Sequence, residues 1–335
     1  MAERSTTRRD LLGTVAKVAA LAAVSGCSSS STEGQPSAAP VPTPPPSPAA
    51  TEVPMKSQDL KPLGKTGALV EAVSLGGEGV LRTTGRERDA VPVILEALRL
   101  GVRYCDTAPA YAQSQDYYGA AFREAGKEAR DRVFLASKTH ARDRDGALRL
   151  LDDSLRRLGT DRLDLWQLHD LRELSELDEI FGKGGAIEAV EKAKAEGRVR
   201  FVGITGHHDP AILVEAMRRY PVDTVLCAMN PADPRRMPFL TTVVPEAKKR
   251  GVGIIGMKIM GAGRLVADRA ASPAELVRYA ASFADTSIVG CSSIEEVRQN
   301  LAAARVDLRP MTSDERAALE ARVAPRASRY DYFKA

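Results

Sequence analysis

Between about Leu60 and Ala304, short apolar runs alternate with helical patterns, and no other feature of the chain narrows the fold as much. The strand candidates are Ala72–Leu75, Val102–Asp106, Val133–Lys138, Leu163–His169, Val199–Thr205, Thr224–Ala228, Val252–Met257 and Thr286–Gly290. Stretches with apolar residues three and four apart lie among them, at Ala147–Leu158, Ile187–Ala195, Pro210–Arg219 and Ile294–Ala304. Repeated βα units build a parallel sheet covered by helices, and this number of them predicts an α/β chain closed into a (β/α)8 TIM barrel. An open, doubly wound sheet competes, but it wants a glycine-rich turn leading into a helix after the first strand. Gly76-Gly77-Glu78-Gly79 does not continue that way. Leu60–Leu69, turning at Gly64-Lys65-Thr66-Gly67, reads as an N-terminal β-hairpin that plugs the barrel bottom. Arg305–Ala335 adds a helix and a polar, tyrosine-containing tail.

Composition matters mainly for what it excludes. A hydrophobic share of 44% over 335 residues supports a large core, and a net charge of +4 is too small to point to nucleic acid. Cys27, Cys105, Cys227 and Cys291 are too far apart for a Cys-x-x-Cys pair, so no metal site and no iron–sulfur cluster is expected. Cys105, Cys227 and Cys291 fall in or at the ends of strands and are expected to be buried structural thiols. The front end has the anatomy of a signal peptide: Arg8-Arg9 stands before the apolar run Val15–Val24, which is short for a membrane span. The pair resembles the twin-arginine export signal, whose machinery carries proteins already folded around their cofactors. Val24-Ser25-Gly26-Cys27 resembles a lipobox, which makes residues 1–27 a signal peptide and Cys27 an acylated mature N-terminus, the only membrane attachment expected. Residues 28–54, rich in Ser, Pro and Thr, read as a disordered tether, and 55–335 as the barrel with its tail. An exported protein on the periplasmic or cell-surface side of a bacterial membrane is the expectation.

Catalysis on such barrels sits at the C-terminal ends of the strands, so polar residues there carry a functional weight that mid-strand residues lack. Asp106, Lys138 and His169 each end a strand, and Tyr111 follows Asp106 by five residues. Asp106-Thr107-Ala108-Pro109-Ala110-Tyr111, Leu135-Ala136-Ser137-Lys138 and Asp164-Leu165-Trp166-Gln167-Leu168-His169 resemble the aldo-keto reductase superfamily. So do Leu63–Gly67, Gly197–Gly203 and Ile288–Asn300. The resemblance implies an NAD(P)H-dependent oxidoreductase that reduces an aldehyde or ketone, a small-molecule carbonyl, to an alcohol. Tyr111 would give the proton to the carbonyl oxygen, and Lys138 would lower the tyrosine's pKa from its usual value of about 10. Asp106 would keep Lys138 charged and placed, and a neutral His169 would orient the carbonyl. His140, His207 and His208 read as loop residues, the last two with at most a place near substrate.

The same resemblance implies an extended dinucleotide over the loops after strands five to eight, with NADPH the family default. The residues it points to are Thr205, Asn230, Met257, Lys258, Gly261, Gly263, Gly290, Ser292, Glu296 and Asn300. Agreement is patchier here. Thr205-Gly206 stands for the usual Ser-Asn pair, Leu226 for a glutamine, and Met257 for the tyrosine that stacks on nicotinamide. Gly290-Cys291 and Glu296 replace the Lys-Ser and Arg that grip a 2'-phosphate, and a carboxylate there repels such a phosphate, so NADH competes. A second class of function is a nicotinamide-binding barrel that senses redox state or serves as an accessory subunit with little turnover. Tyr111 weighs against it, because a pure binder has no need of a proton donor. A barrel hydrolase or lyase would want paired carboxylates or metal ligands at the mouth, and the sequence places none there.

Overall fold

A computed structural model describes residues 60–306 and 309–334. The expectations for residues 1–54, Cys27 included, lie outside the described residues. Two short strands, β1 (Lys61–Pro62) and β2 (Leu69–Val70), pair antiparallel as the expected hairpin. The eight strands that follow are β3 (Val73–Gly79), β4 (Tyr104–Asp106), β5 (Phe134–Thr139), β6 (Leu163–Leu168), β7 (Val199–Gly206), β8 (Thr224–Ala228), β9 (Gly253–Met257) and β10 (Thr286–Cys291). They close into a parallel barrel in sequence order, with β10 returning to pair with β3. Each strand lies on its sequence-derived candidate, shifted at the ends by a few residues.

The helices between the strands obey their local signals. In Glu87–Arg99 the residues Ala90, Val91, Ile94 and Ala97 form one buried stripe against the barrel, each large aliphatic contributing about 1.5–3 kcal/mol on burial. The helix Arg144–Leu158 starts where the Asp143 carboxylate accepts the Gly146 N–H at 2.7 Å and stops at left-handed Gly159. Asp209 caps Pro210–Arg219 in the same way. No helix among the described residues is long and apolar enough to cross a membrane.

Two apolar layers result. One lies between strands and helices; the other fills the barrel bore, where Tyr104, Phe134 and Phe201 stack beside Leu165, Leu226 and Ile255. Leu63 of the hairpin is wholly buried in this inner layer, so the hairpin does plug the bore. The turn is held tightly: a Cβ on Gly64 would stand 2.3 Å from the Gly253 backbone nitrogen, and the Gly64 N–H donates to Asp285 at 3.1 Å. Acids near the bottom of the barrel accept strand N–H groups, Glu71 from Arg103 and Tyr104, Asp164 from Leu135, Asp223 from Val202 and Asp285 from Ile254. At the other end the tail folds back over the loop after β8. The Lys334 ammonium donates to the Asp233 carboxylate and the Arg236 carbonyl, and Arg235 pairs with Asp331 at 2.9 Å.

Candidate active site

Side chains alternate along a strand, so the bore-facing set runs Tyr104, Asp106 on β4, Phe134, Ala136, Lys138 on β5, and Leu165, Gln167, His169 on and just past β6. The aromatic and aliphatic members fill the lower bore, and the polar ones emerge together at the mouth. Lys138 and Asp106 are both fully buried and joined as an ion pair. The Lys138 ammonium also donates to the Thr107 carbonyl at 2.9 Å. Burial pushes Asp106 upward in pKa and Lys138 downward, and the opposite charge of each resists the shift in the other. Gln167 Nε2 donates to the second carboxylate oxygen at 3.0 Å, so neither oxygen of Asp106 is left without a donor. Sequence reading passed over Gln167, although it falls two residues before His169 and therefore on the same face.

Tyr111 sits in the loop after β4 with only 9% of its surface exposed. The Lys138 ammonium lies 4.7 Å from its ring centroid, and the His169 ring meets it edge-on at 5.7 Å, 83° between planes. The four expected catalytic side chains therefore share one mouth. The room for Tyr111 comes from Gly77 on β3: a Cβ there would lie 2.6 Å from Tyr111 Cδ2 and 3.1 Å from both the Asp106 carbonyl and Ser114 Oγ. Burial, and next the Asp106 charge, hold the Tyr111 phenol well above its usual pKa. This differs from the expectation that Lys138 lowers it. The ammonium is paired with Asp106, whose own charge acts on the phenol in the opposite sense inside a desolvated site. Burial, reinforced by Lys138, takes His169 down to about 3, which leaves a neutral imidazole at neutral pH.

The rim holds a charge chain that the sequence did not disclose. Glu78, at the end of β3, pairs with Arg82 at 2.9 Å and with Lys258 at 3.4 Å, and the Arg82 guanidinium stands 5.2 Å from the Tyr111 ring centroid. The strand-end rule applied to Asp106 would have found Glu78 too, had its glycine-rich setting not been weighed only as a nucleotide turn. Of the residues expected at a dinucleotide, Lys258 and Gly290 meet at Glu78, and half-buried Met257 ends β9 in contact with the bore cluster. Lys258, Gly261, Ala262 and Gly263 all have left-handed φ angles of 57°, 57°, 54° and 82°, a loop whose carbonyls and N–H groups turn sharply. The Thr205 hydroxyl accepts the Asp170 N–H at 2.8 Å. Asn230 is buried, donating to the Lys258 carbonyl and accepting the Ala232 N–H, so its side chain ties the loops after β8 and β9 together. The Glu296 carboxylate accepts the Ser292 N–H at 2.7 Å, and Asn300 donates to Cys291 Sγ at 3.5 Å. Cys105, Cys227 and Cys291 are buried free thiols, burial raising all three, Cys291 to about 12.

His207 and His208 do not lie apart in their loop. Both face Asp170, with Nε2–Oδ1 separations of 3.4 and 3.6 Å, and the His207 ring also meets Phe333 of the tail at 6.0 Å.

A parallel eight-stranded barrel with a buried lysine–aspartate pair, a tyrosine and a histidine at its C-terminal mouth defines a barrel oxidoreductase of the reductase type. The aldo/keto reductase family model matches residues 72–275, and the chain belongs to that family. It is 30% identical to L-galactose dehydrogenase of Arabidopsis thaliana over 293 residues, 74% of this chain and 89% of that one. It is 25% identical to pyridoxal 4-dehydrogenase of Microbacterium luteolum, over 67% of this chain and 79% of that one. Among solved structures the fold resembles the holo form of an aldo-keto reductase from Bacillus halodurans, with a TM-score of 0.65 and 23% identity over 79% of this chain and 96% of that one. It also resembles an aldo-keto reductase from Klebsiella pneumoniae in complex with NADPH, with a TM-score of 0.59 and 22% identity over 77% and 93%.

Proposed function

We propose that this protein interconverts a carbonyl and an alcohol with a nicotinamide dinucleotide, using Tyr111 as the proton donor. The observation that carries the reading is the buried Asp106–Lys138 pair set beneath the ring of a protonated Tyr111, with neutral His169 against its edge. A bound nicotinamide supplies or takes the hydride. Every other part falls to the chain: His169 hydrogen-bonds the substrate oxygen and fixes its direction, and Tyr111 delivers a proton to that oxygen as charge builds on it. Lys138 then stabilises the phenolate, a state that arises only during the reaction. In the oxidising direction Tyr111 would first lose its proton to solvent and the phenolate would then take the alcohol proton, and the dehydrogenase names of two relatives support that direction.

The donor set suits a dinucleotide in part. Lys258 and the turn at Gly261–Gly263 offer charge and backbone for a pyrophosphate, while Met257 offers a polarisable face for a ring. Where the family grips a 2'-phosphate, Glu296 places a carboxylate on the Ser292 N–H, which supports NADH over NADPH. The front-end motifs support export of the folded, cofactor-loaded protein and attachment through Cys27.

Fluorescence titration with NADH and NADPH, for the native chain and Glu296→Arg, is the first test. Saturable binding that moves toward NADPH in the variant supports the reading and locates the 2'-site. Tyr111→Phe then keeps cofactor affinity and loses about 10²–10⁴-fold in kcat. Wild-type turnover in that variant, or no binding of either nucleotide to the native chain, sinks the proposal.

A further inference from the structure

We infer that Asp170, His207 and His208 form a three-ligand site for a divalent transition metal of the zinc class, beside the catalytic mouth. Among the described residues this is the one group of three or more His, Cys, Asp or Glu side chains whose ligand atoms come within 4.8 Å of one another. Two of its three ligand-to-ligand spacings are what a metal asks for. Zinc holds nitrogen and oxygen at about 2.0–2.2 Å, and the edge of a tetrahedron of that size is about 3.3–3.6 Å. Asp170 Oδ1 stands 3.4 Å from His207 Nε2 and 3.6 Å from His208 Nε2.

Two of these atoms are short of partners as well as close together. Seven buried side-chain polar atoms among the described residues lack a hydrogen-bond partner; Asp170 Oδ1 and His208 Nε2 are two of them, and on His207 the orphan is Nδ1 rather than the Nε2 that faces Asp170. Buried polar atoms seldom go unsatisfied, so the two that face each other here, Asp170 Oδ1 and His208 Nε2, mark a place where something else is bound. The carboxylate is aimed by its surroundings: Arg172 donates to Oδ2 from Nη2 at 2.6 Å and from Nε at 2.9 Å, which leaves Oδ1 to the imidazoles. The Asp170 N–H is fixed by Thr205 Oγ1, and the Asp170 carbonyl accepts from Arg142 at 3.1 Å.

Two imidazoles and one carboxylate are the donor set of zinc and of the neighbouring divalent transition metals. Three protein ligands leave a fourth position for water or a substrate oxygen. The sequence reading, made from cysteine spacing, expected no metal site; this one needs no cysteine and runs against that expectation. It stands independently of the proposed reaction, since a chain without reductase activity would still bind the ion.

The test is a titration of the chelator-stripped, tag-free full chain with Zn²⁺ against a chromophoric chelator, followed by Co²⁺. The native chain should take one equivalent, and Co²⁺ should show the strong visible absorption of a tetrahedral site. His207→Ala, His208→Ala and the near-isosteric Asp170→Asn should each weaken binding by at least about tenfold, while exposed His140→Ala leaves it unchanged. Zn²⁺ should also raise the melting temperature of the native chain and not of the three variants, which separates lost ligation from lost folding. Absence of a stoichiometric equivalent in the native chain, or equal affinity in the three variants, overturns the inference.

Discussion

Gly77→Ala places one methyl group where the structure has no room for it. The added Cβ would stand 2.6 Å from Tyr111 Cδ2 and 3.1 Å from the Asp106 carbonyl and Ser114 Oγ. Carbon atoms rest at about 3.5–4.0 Å, so the ring must retreat by about 1 Å, because β3 and the Asp106 backbone belong to the barrel wall. A displacement of that size at a reacting group costs about 10²-fold in rate, about 2.7 kcal/mol of barrel-mouth alignment. Overpacking adds about 1–3 kcal/mol of lost stability. The assay is kcat at saturating cofactor on an aldehyde that the native chain reduces, with cofactor affinity followed by fluorescence and folding by thermal melting. Affinity should hold while kcat falls. Because the loss runs through Tyr111, Gly77→Ala should cost little further in a Tyr111→Phe background. A kcat within about twofold of native, or full additivity with Tyr111→Phe, refutes the claim that Gly77 makes room for the proton donor.

Lys138→Met leaves the Asp106 carboxylate buried without its partner, which should cost about 3–5 kcal/mol in denaturant unfolding, and adding Asp106→Asn should restore much of it. A loss below about 1 kcal/mol would mean the pair is not buried as described. For His169 the folded-state pKa, about 3, lies below the ordinary 6.5, so between those values the unfolded chain binds the extra proton. The stability this group contributes is complete above about pH 6.5 and is lost as pH falls through that range; His169→Gln should flatten the decline measured by chemical denaturation, and an unchanged slope contradicts a neutral buried imidazole. Replacing Arg8 and Arg9 by Lys should hold the protein in the cytoplasm of a bacterial host, and Cys27→Ala should release it from the membrane fraction. Unchanged fractionation in both removes the basis for export and lipidation.

The barrel was legible because its signals are local and repeated. Each strand announces itself by a β-rich apolar run and each helix by its stripe and cap, as at Asp143 and Gly159, and a regular series of such units has few ways to close. Asp106, Tyr111, Lys138 and His169 were legible for a related reason: strand ends map onto one mouth once the barrel is granted. What escaped were relations between segments distant in sequence. Gly77 matters through a ring 34 residues away along the chain, Gln167 through a carboxylate 61 residues back, and Glu78 through a lysine 180 residues on.

The sequence by itself therefore determined the parallel barrel, its hairpin plug and the types of side chain delivered to the mouth, because hydrophobic period and chain order suffice for these. Only the tertiary structure decided how those side chains act on one another. It raised the Tyr111 phenol through burial and the charge of Asp106, where the sequence had Lys138 lowering it. It also brought His207 and His208 onto Asp170, which no spacing in the chain encodes, because packing brings together atoms that sequence separates.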